Sequence, residues 1–117
     1  KISMIRGEVW LINLEPTIGA EIKKTRPCVI VNDDLTGILP LKIIVPFTDW
    51  KEHYDIVPWM VKVEPDKQNG LHKTSGADTF QVRSVAQERF IQKTGKLSDE
   101  KIREITLALA LVLNIEL

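Results

Sequence analysis

The fold is decided within residues 8–31, where Glu8-Val9-Trp10-Leu11-Ile12-Asn13-Leu14 and Pro27-Cys28-Val29-Ile30-Val31 enclose a polar interval. The first run is rich in β-formers and is ended by Pro16, which predicts a buried strand. From Glu15 to Thr25 the chain turns polar, with Pro16, Gly19 and the pair Lys23-Lys24, and reads as a loop. The second run reads as a strand closed by the turn residues Asn32-Asp33-Asp34.

Working outward, Ile43-Ile44-Val45-Pro46-Phe47 predicts a third strand, with Pro46 placing it at an edge or a bulge. Trp59-Met60-Val61-Lys62-Val63 predicts a fourth, and Asn69-Gly70 a turn. Thr79 to Val85 alternates, with Phe80 and Val82 on one face and Gln81 and Arg83 on the other. Ser84 is a candidate cap for a single helical turn through Gln87-Glu88-Arg89. Phe90-Ile91-Gln92-Lys93 reads as a short strand broken by Gly95. Ser98-Asp99-Glu100 opens a helix with an N-cap and two acids in the first turn, where the helix dipole favours them. Ile102, Ile105, Leu109, Val112 and Leu113 form its apolar stripe, while Leu107, Ala108, Ala110 and Leu111 add apolar surface around it. Two readings of so greasy a helix stand side by side: packing against a dimer partner, or burial within one fold. Five or six short strands and a terminal helix imply one domain over residues 1–117, mainly β, built on a small, strongly bent antiparallel sheet or barrel.

With 117 residues, 44% of them hydrophobic, the chain suffices for one core. No apolar run approaches the ~18 residues of a membrane span. Sixteen basic residues balance sixteen acidic ones. The halves are balanced as well, with 7 and 8 in residues 1–60 and 9 and 8 in residues 61–117. That excludes a protein that grips nucleic acid through bulk positive charge; any polyanion must meet a local cluster. Cys28 is the only cysteine, so an intrachain disulfide is excluded and a reducing cytoplasm is the expected location. The start, Lys1-Ile2-Ser3-Met4, lacks the apolar core of a secretion signal, and Met4 is a candidate natural start.

The motifs of most cofactor and metal sites are missing: no GxGxxG, no P-loop, no HExxH, and too few cysteines for a zinc ribbon. No cofactor and no metal are expected. His53 and His72 lie 19 residues apart in polar stretches and read as solvated side chains, not as a catalytic pair. Cys28 reads as a small core residue. The informative segment is Pro16 to Pro27. Pro27 fixes φ and cannot donate to a ladder, which holds Arg26 where loop becomes strand. There its fork can face a phosphate, with Lys23 and Lys24 raising the local potential. The same residues also suit a merely solvated basic loop, and alone they leave both readings open.

Arg6-Gly7-Glu8-Val9-Trp10, then Leu14-Glu15-Pro16-Thr17-Ile18-Gly19-Ala20-Glu21, then Thr25-Arg26-Pro27-Cys28-Val29-Ile30-Val31 resembles the opening of the MazF/PemK toxins. The likeness continues in Val45-Pro46-Phe47-Thr48, in Gln81-Val82-Arg83-Ser84 and in Gly95-Lys96-Leu97-Ser98, in the expected order over nearly the whole chain. The resemblance implies an SH3-like, CcdB/MazF/PemK-like barrel with a C-terminal helix, and a homodimer. It implies an endoribonuclease that cuts single-stranded RNA, mRNA included, at short sequences without a metal. The ribose 2′-hydroxyl would be the nucleophile, leaving a cyclic phosphate and a 5′-hydroxyl. A cognate antitoxin of the MazE/PemI kind would silence it.

On the same footing, Arg26 matches the family's catalytic arginine, Thr48 its catalytic threonine, and Glu21 a loop glutamate that serves as candidate general base. A guanidinium holds its proton and donates it poorly, so Arg26 is assigned to stabilising the phosphorane. Thr48 would hold a phosphate oxygen. Two positions depart from the better-known members: Ala20 stands where some carry histidine, and Phe80 where others carry an acid, with Asp78 two residues earlier. RNA contacts are expected from Lys23, Lys24, Thr17, Trp50, Lys51, Tyr54, Lys73, Asp78 and Gln81, with the aromatic rings stacking on splayed bases. Trp59 reads as core. Two other readings share the fold: a toxin that binds a protein such as DNA gyrase, and an RNA-binding module without catalysis. The first acts through a C-terminal Trp, whereas this chain has no Trp after Trp59. A small cationic site on a neutral protein also predicts a shallow salt dependence of RNA binding.

Overall fold

Alternation along the central strands sends neighbouring side chains into two separate cores. In β1 (Glu8–Asn13), Val9 enters one cluster, while Trp10 and Ile12, continued by Leu14, enter the other. In β2 (Thr25–Ile30), Cys28 and Ile30 side with Trp10, and Val29 sides with Val9. In β3 (Leu41–Asp49), Ile44 joins the Trp10 cluster, and Val45 and Phe47 the Val9 cluster. Period-two alternation would normally leave one face of a strand in water; here both faces are apolar and both are covered.

The computed structural model describes residues 4–117, so the reading of Lys1-Ile2-Ser3 lies outside the described residues. After β3 come β4 (Met60–Val63), β5 (Ser75–Asp78), β6 (Arg83–Ala86), β7 (Phe90–Lys96) and helix α1 (Asp99–Leu113), with short 3₁₀ turns between several of them. The strands form an antiparallel seven-stranded sheet in the order β4-β5-β3-β2-β1-β7, with β6 also paired to β3. Among the described residues β7 and β4 do not pair, so the expected barrel is a bent, open sheet.

β3 is central, which corrects the edge position expected from Pro46. On one side Pro46 pairs with Cys28 of β2. On the other, residues 41–44 pair with β6 and residues 47–49 with β5. Pro46 has no N–H to donate, and it sits where the outer partner changes.

The segment from Thr79 to Val85 is not one strand. Thr79–Gln81 forms a 3₁₀ turn between β5 and β6. Ser84 lies within β6 and caps nothing: the turn Gln87–Arg89 follows Ala86, without a side-chain cap. Gly95 does not break β7; it lets the strand continue, because a Cβ there would come to 2.4 Å from the backbone of Gln68 and Asn69. Lys96 N–H donates to Gln68 O at 2.8 Å, zipping the two segments together.

Ser98 caps α1 as its sequence predicts, its Oγ accepting the Lys101 N–H at 3.2 Å. Ile105 and Ala108 reach the Val9 cluster, with Ile102 and Leu109 packed beside it. Leu107, Leu111 and Leu113 remain at least half exposed, as do Ile115 and Leu117 beyond the helix end. No helix among the described residues is long and apolar enough to cross a membrane.

Candidate functional site

The β1–β2 loop is polar, yet its backbone is tied at many points. Leu14 N–H donates to Lys24 O at 3.0 Å, and Lys24 N–H donates to Glu15 Oε2 at 2.8 Å. Glu15 Oε1 accepts from both the N–H and the hydroxyl of Thr17, each at 3.2 Å. The hydrogen bond from Lys24, with help from Thr17 and the charge of Lys23, holds the Glu15 carboxyl below its ordinary range against the opposing effect of burial. A second set of ties arrives from elsewhere in the fold. Gln81 Oε1 accepts the Ile22 N–H at 2.6 Å, and Gln81 Nε2 donates to Ala20 O at 3.0 Å. Arg83 donates to Leu14 O at 3.3 Å, and Arg89 to Asn13 O at 3.2 Å and also to Glu15 O.

At the exit of this loop the strand register brings Arg26 and Thr48 together. The β2–β3 pairing ends at Cys28 and Pro46, and Arg26 and Thr48 each lie two residues beyond that pair. Both line one cavity of about 110 Å³, as do His72 and Lys73. Arg26 Nε donates to Lys23 O at 3.2 Å, which fixes the root of the guanidinium to the loop. Lys73 Nζ lies 3.0 Å from Asp49 Oδ2, both side chains exposed, and such a pair contributes little to stability.

Glu21 is not in that cavity. It lines a larger one, of about 460 Å³, beside Ala20, Phe80, Gln81 and Arg83, and its Oε1 accepts the Ile18 N–H at 2.7 Å. The candidate residues thus fall into two groups, Arg26–Thr48–Lys73 and Glu21–Gln81, which line separate cavities. Lys23, Lys24 and Lys51 are exposed; Thr17 is half-buried.

Several expectations need revision. Gln81, expected to contact RNA, has both ends of its amide bonded to the loop. Asp78 caps the 3₁₀ turn, accepting the Phe80 N–H at 3.2 Å, and does not replace the missing acid at position 80. Burial raises its pKa, only partly offset by the backbone N–H groups of Phe80 and Gln81. Trp59 is not core; it is partly exposed and packs on Phe80 at 5.6 Å between ring centroids. Trp50 and Tyr54 meet edge to face at 5.5 Å, and Lys62 sits 5.4 Å over the Trp50 ring. The indole lies against β5 at Gly76, where a Cβ would come to 3.2 Å from it. Both aromatics are therefore half-buried and already packed.

His72 is the residue sequence reasoning missed. It is exposed as expected, but it borders the Arg26–Thr48 cavity. Only the β3–β5 pairing brings it there, so no local spacing announces it. His53 instead stacks on Tyr54 at 4.6 Å. Burial pushes the Cys28 thiol up to about 12, which makes it inert as a nucleophile.

Comparison with known proteins bears on the family and the fold. The family model described as PemK-like, MazF-like toxin of type II toxin-antitoxin system matches residues 5–113. Endoribonuclease MazF9 of Mycobacterium tuberculosis is 29% identical over 118 residues, spanning 96% of this chain and 98% of that protein. Among solved structures, an endoribonuclease in complex with its cognate antitoxin from Mycobacterial species is similar, with a TM-score of 0.77 at 16% identity over 98% of this chain and 99% of that one. MazF from Deinococcus radiodurans gives 0.75 at 20% identity, over 97% and 98%. At these identities the structural likeness speaks for the fold alone.

Proposed function

The chain belongs to the PemK-like, MazF-like toxin family of type II toxin–antitoxin systems, and on that premise we propose that it is an endoribonuclease that cleaves single-stranded RNA by attack of the ribose 2′-hydroxyl on the adjacent phosphate. The observation that supports this best is the cavity that Arg26, near the start of β2, and Thr48, near the end of β3, line together. The 2′-oxygen bonds to phosphorus as its proton passes to a base. The P–O5′ bond breaks as O5′ gains a proton, leaving a 2′,3′-cyclic phosphate and a 5′-hydroxyl. Arg26 stabilises the charge that develops on the phosphorane oxygens. Thr48 donates to one of those oxygens and holds the scissile group in line.

Glu21 is the proposed base, and His72, which borders the Arg26–Thr48 cavity, the proposed proton donor to O5′. Lys23, Lys24 and Lys73 meet neighbouring phosphates. Trp50, Tyr54 and Lys51 form one flank of the RNA path. The exposed leucines of α1 are the proposed homodimer face, and a cognate antitoxin covers the basic loop to silence the enzyme. The cytoplasm, where mRNA is translated, is the proposed location, and the chemistry is proposed to need no metal.

The deciding experiment incubates the protein with a long single-stranded RNA in EDTA and maps the ends. Cuts at one short motif, with cyclic phosphate and 5′-hydroxyl ends, are expected. Intact RNA with inhibited DNA supercoiling would replace this reading with the gyrase-binding one, and binding without cleavage would replace it with the non-catalytic one.

A further inference from the structure

The loop that carries Glu21 is exposed, and its own turn contains Ile18, Gly19 and Ala20, none of which packs into either core. Left to itself such a segment would sample many backbone states, and a carboxylate on it would be held poorly for proton transfer. The structure contains one device aimed at this segment from outside. Gln81 ends the 3₁₀ turn Thr79–Gln81, and its primary amide bonds the backbone on both sides of Glu21: Oε1 to the Ile22 N–H at 2.6 Å and Nε2–H to Ala20 O at 3.0 Å. A carboxamide is the side chain that can do this, because it offers an acceptor and a donor on one rigid plane, matching the C=O and N–H that flank a residue.

The turn that presents Gln81 is itself fixed. Asp78 caps it, Val82 N–H donates to Thr79 O at 3.3 Å, and the buried Thr79 hydroxyl donates to Trp59 O at 2.6 Å. On the next strand Arg83 reaches Leu14 O, so the base of the loop is held from the same element. Glu21 is thereby fixed at three points: its two neighbours through Gln81, and its own carboxylate through the Ile18 N–H.

We infer that Gln81 is a positioning residue, a two-point backbone clamp that sets the place of Glu21 for proton abstraction from the 2′-hydroxyl. The inference rests on the endoribonuclease reading and on Glu21 as its base.

The test uses the full chain carrying Gln81→Ala, Gln81→Glu, Glu21→Gln, and the double change of Gln81→Ala with Glu21→Gln. Two readouts are needed: amide hydrogen exchange at Ile22, and kcat and KM on a single-stranded RNA that the unaltered protein cuts. In Gln81→Ala, exchange at Ile22 is expected to speed at least ~10-fold, and kcat to fall about 10- to 100-fold with KM changed less than about 3-fold. Gln81→Glu keeps the acceptor for Ile22 and puts a carboxylate against Ala20 O; it should keep most of the protection and recover part of kcat. The double variant should be no slower than Glu21→Gln alone, because a clamp on an absent base has nothing to position. Unchanged Ile22 exchange in Gln81→Ala overturns the clamp. Faster exchange with an unchanged kcat, or losses that add in the double variant, overturns its coupling to Glu21. If the unaltered protein cuts no RNA, the endoribonuclease reading fails, and the Ile22 exchange still decides whether the clamp exists.

Discussion

Residues 6–10 and residues 15–26 use the same chemistry to opposite ends. In the first, Glu8 is buried and its carboxylate accepts from the Trp10 indole at 3.0 Å and the Ile5 N–H at 3.1 Å, while Lys93 pairs with it at 3.0 Å. Arg6 donates to Val31 O and, at 2.7 Å, to the Thr106 hydroxyl on α1. Arg6 and the Glu8–Lys93 pair tie this stretch to other elements of the fold. In the second, Glu15 and Glu21 also accept backbone N–H groups, but on an exposed loop, and the ties shape the loop without joining the cores. Both stretches are equally recognisable in the sequence. Burial separates them: the buried acid is part of the framework, and the exposed ones are placed where a substrate can reach.

Substitutions can break this division, and the largest effect belongs to Arg26. Arg26→Ala is expected to slow cleavage about 10²- to 10³-fold, the usual size for losing a group that stabilises a developing oxyanion, while thermal unfolding stays within a few degrees. An Arg26→Ala chain that cuts RNA normally would remove the proposed mechanism. Glu8→Ala should do the reverse. It orphans a buried indole N–H and a backbone N–H and should cost roughly 2 to 3 kcal/mol of stability by denaturant titration. Cleavage per folded molecule should be unchanged; a lower kcat in fully folded protein would place residues 6–10 in the site after all.

The pH dependence of unfolding sharpens the same contrast. Burial alone would raise the Glu8 carboxyl, but the hydrogen bonds from Trp10, Lys93 and Ile5 and the charge of Lys93 outweigh it and hold the pKa below the ordinary 4.5. A depressed folded-state value means that this stabilisation is fully present above pH 4.5 and is lost as pH falls through the folded-state value. Acid unfolding of Glu8→Gln should therefore show a flatter stability profile below pH 4.5 than the unaltered chain. Asp78 has the opposite sign. Its raised pKa means the ionised form is disfavoured on folding, so Asp78→Asn, which can keep the cap on Phe80, should raise the melting temperature slightly at neutral pH.

Smaller effects fall in the Arg26 cavity. Thr48→Val, which loses one hydrogen bond to the phosphate, should slow cleavage about 10-fold. Lys73→Ala should change RNA affinity only about 2- to 3-fold and make the salt dependence slightly shallower, since its charge is already shared with Asp49.

What the sequence made legible follows from how local each signal is. β1, β2 and the Ser98 cap were readable because their residues carry the preference themselves. β5, Ser75-Gly76-Ala77-Asp78, carries none; it is a strand because small side chains let Met60 and Trp50 close over it. Gly95 reads as a breaker until the chain at Gln68 is seen pressed against it. Arg26 and Thr48 were legible through the family pattern, and in the fold they line one cavity. His72 beside them and Gln81 across from Ala20 depend on contacts between residues 24 to 61 positions apart, which no window of sequence contains.

The open sheet also has a bearing on self-association. A sheet that does not close ends in strand edges, and an uncovered edge is a template for another copy to add a strand. Here one end of the sheet is β4, only four residues long and entered directly after Pro58 and Trp59. The other end is β7, whose pairing with β1 is interrupted by two register shifts, and whose last residues are bonded to the Gln68–Asn69 segment. A four-residue strand offers little ladder to copy, and an irregular, partly covered one presents no straight row of donors. Such blunted edges matter more than usual in a protein with no net charge, which has no general repulsion to keep its copies apart.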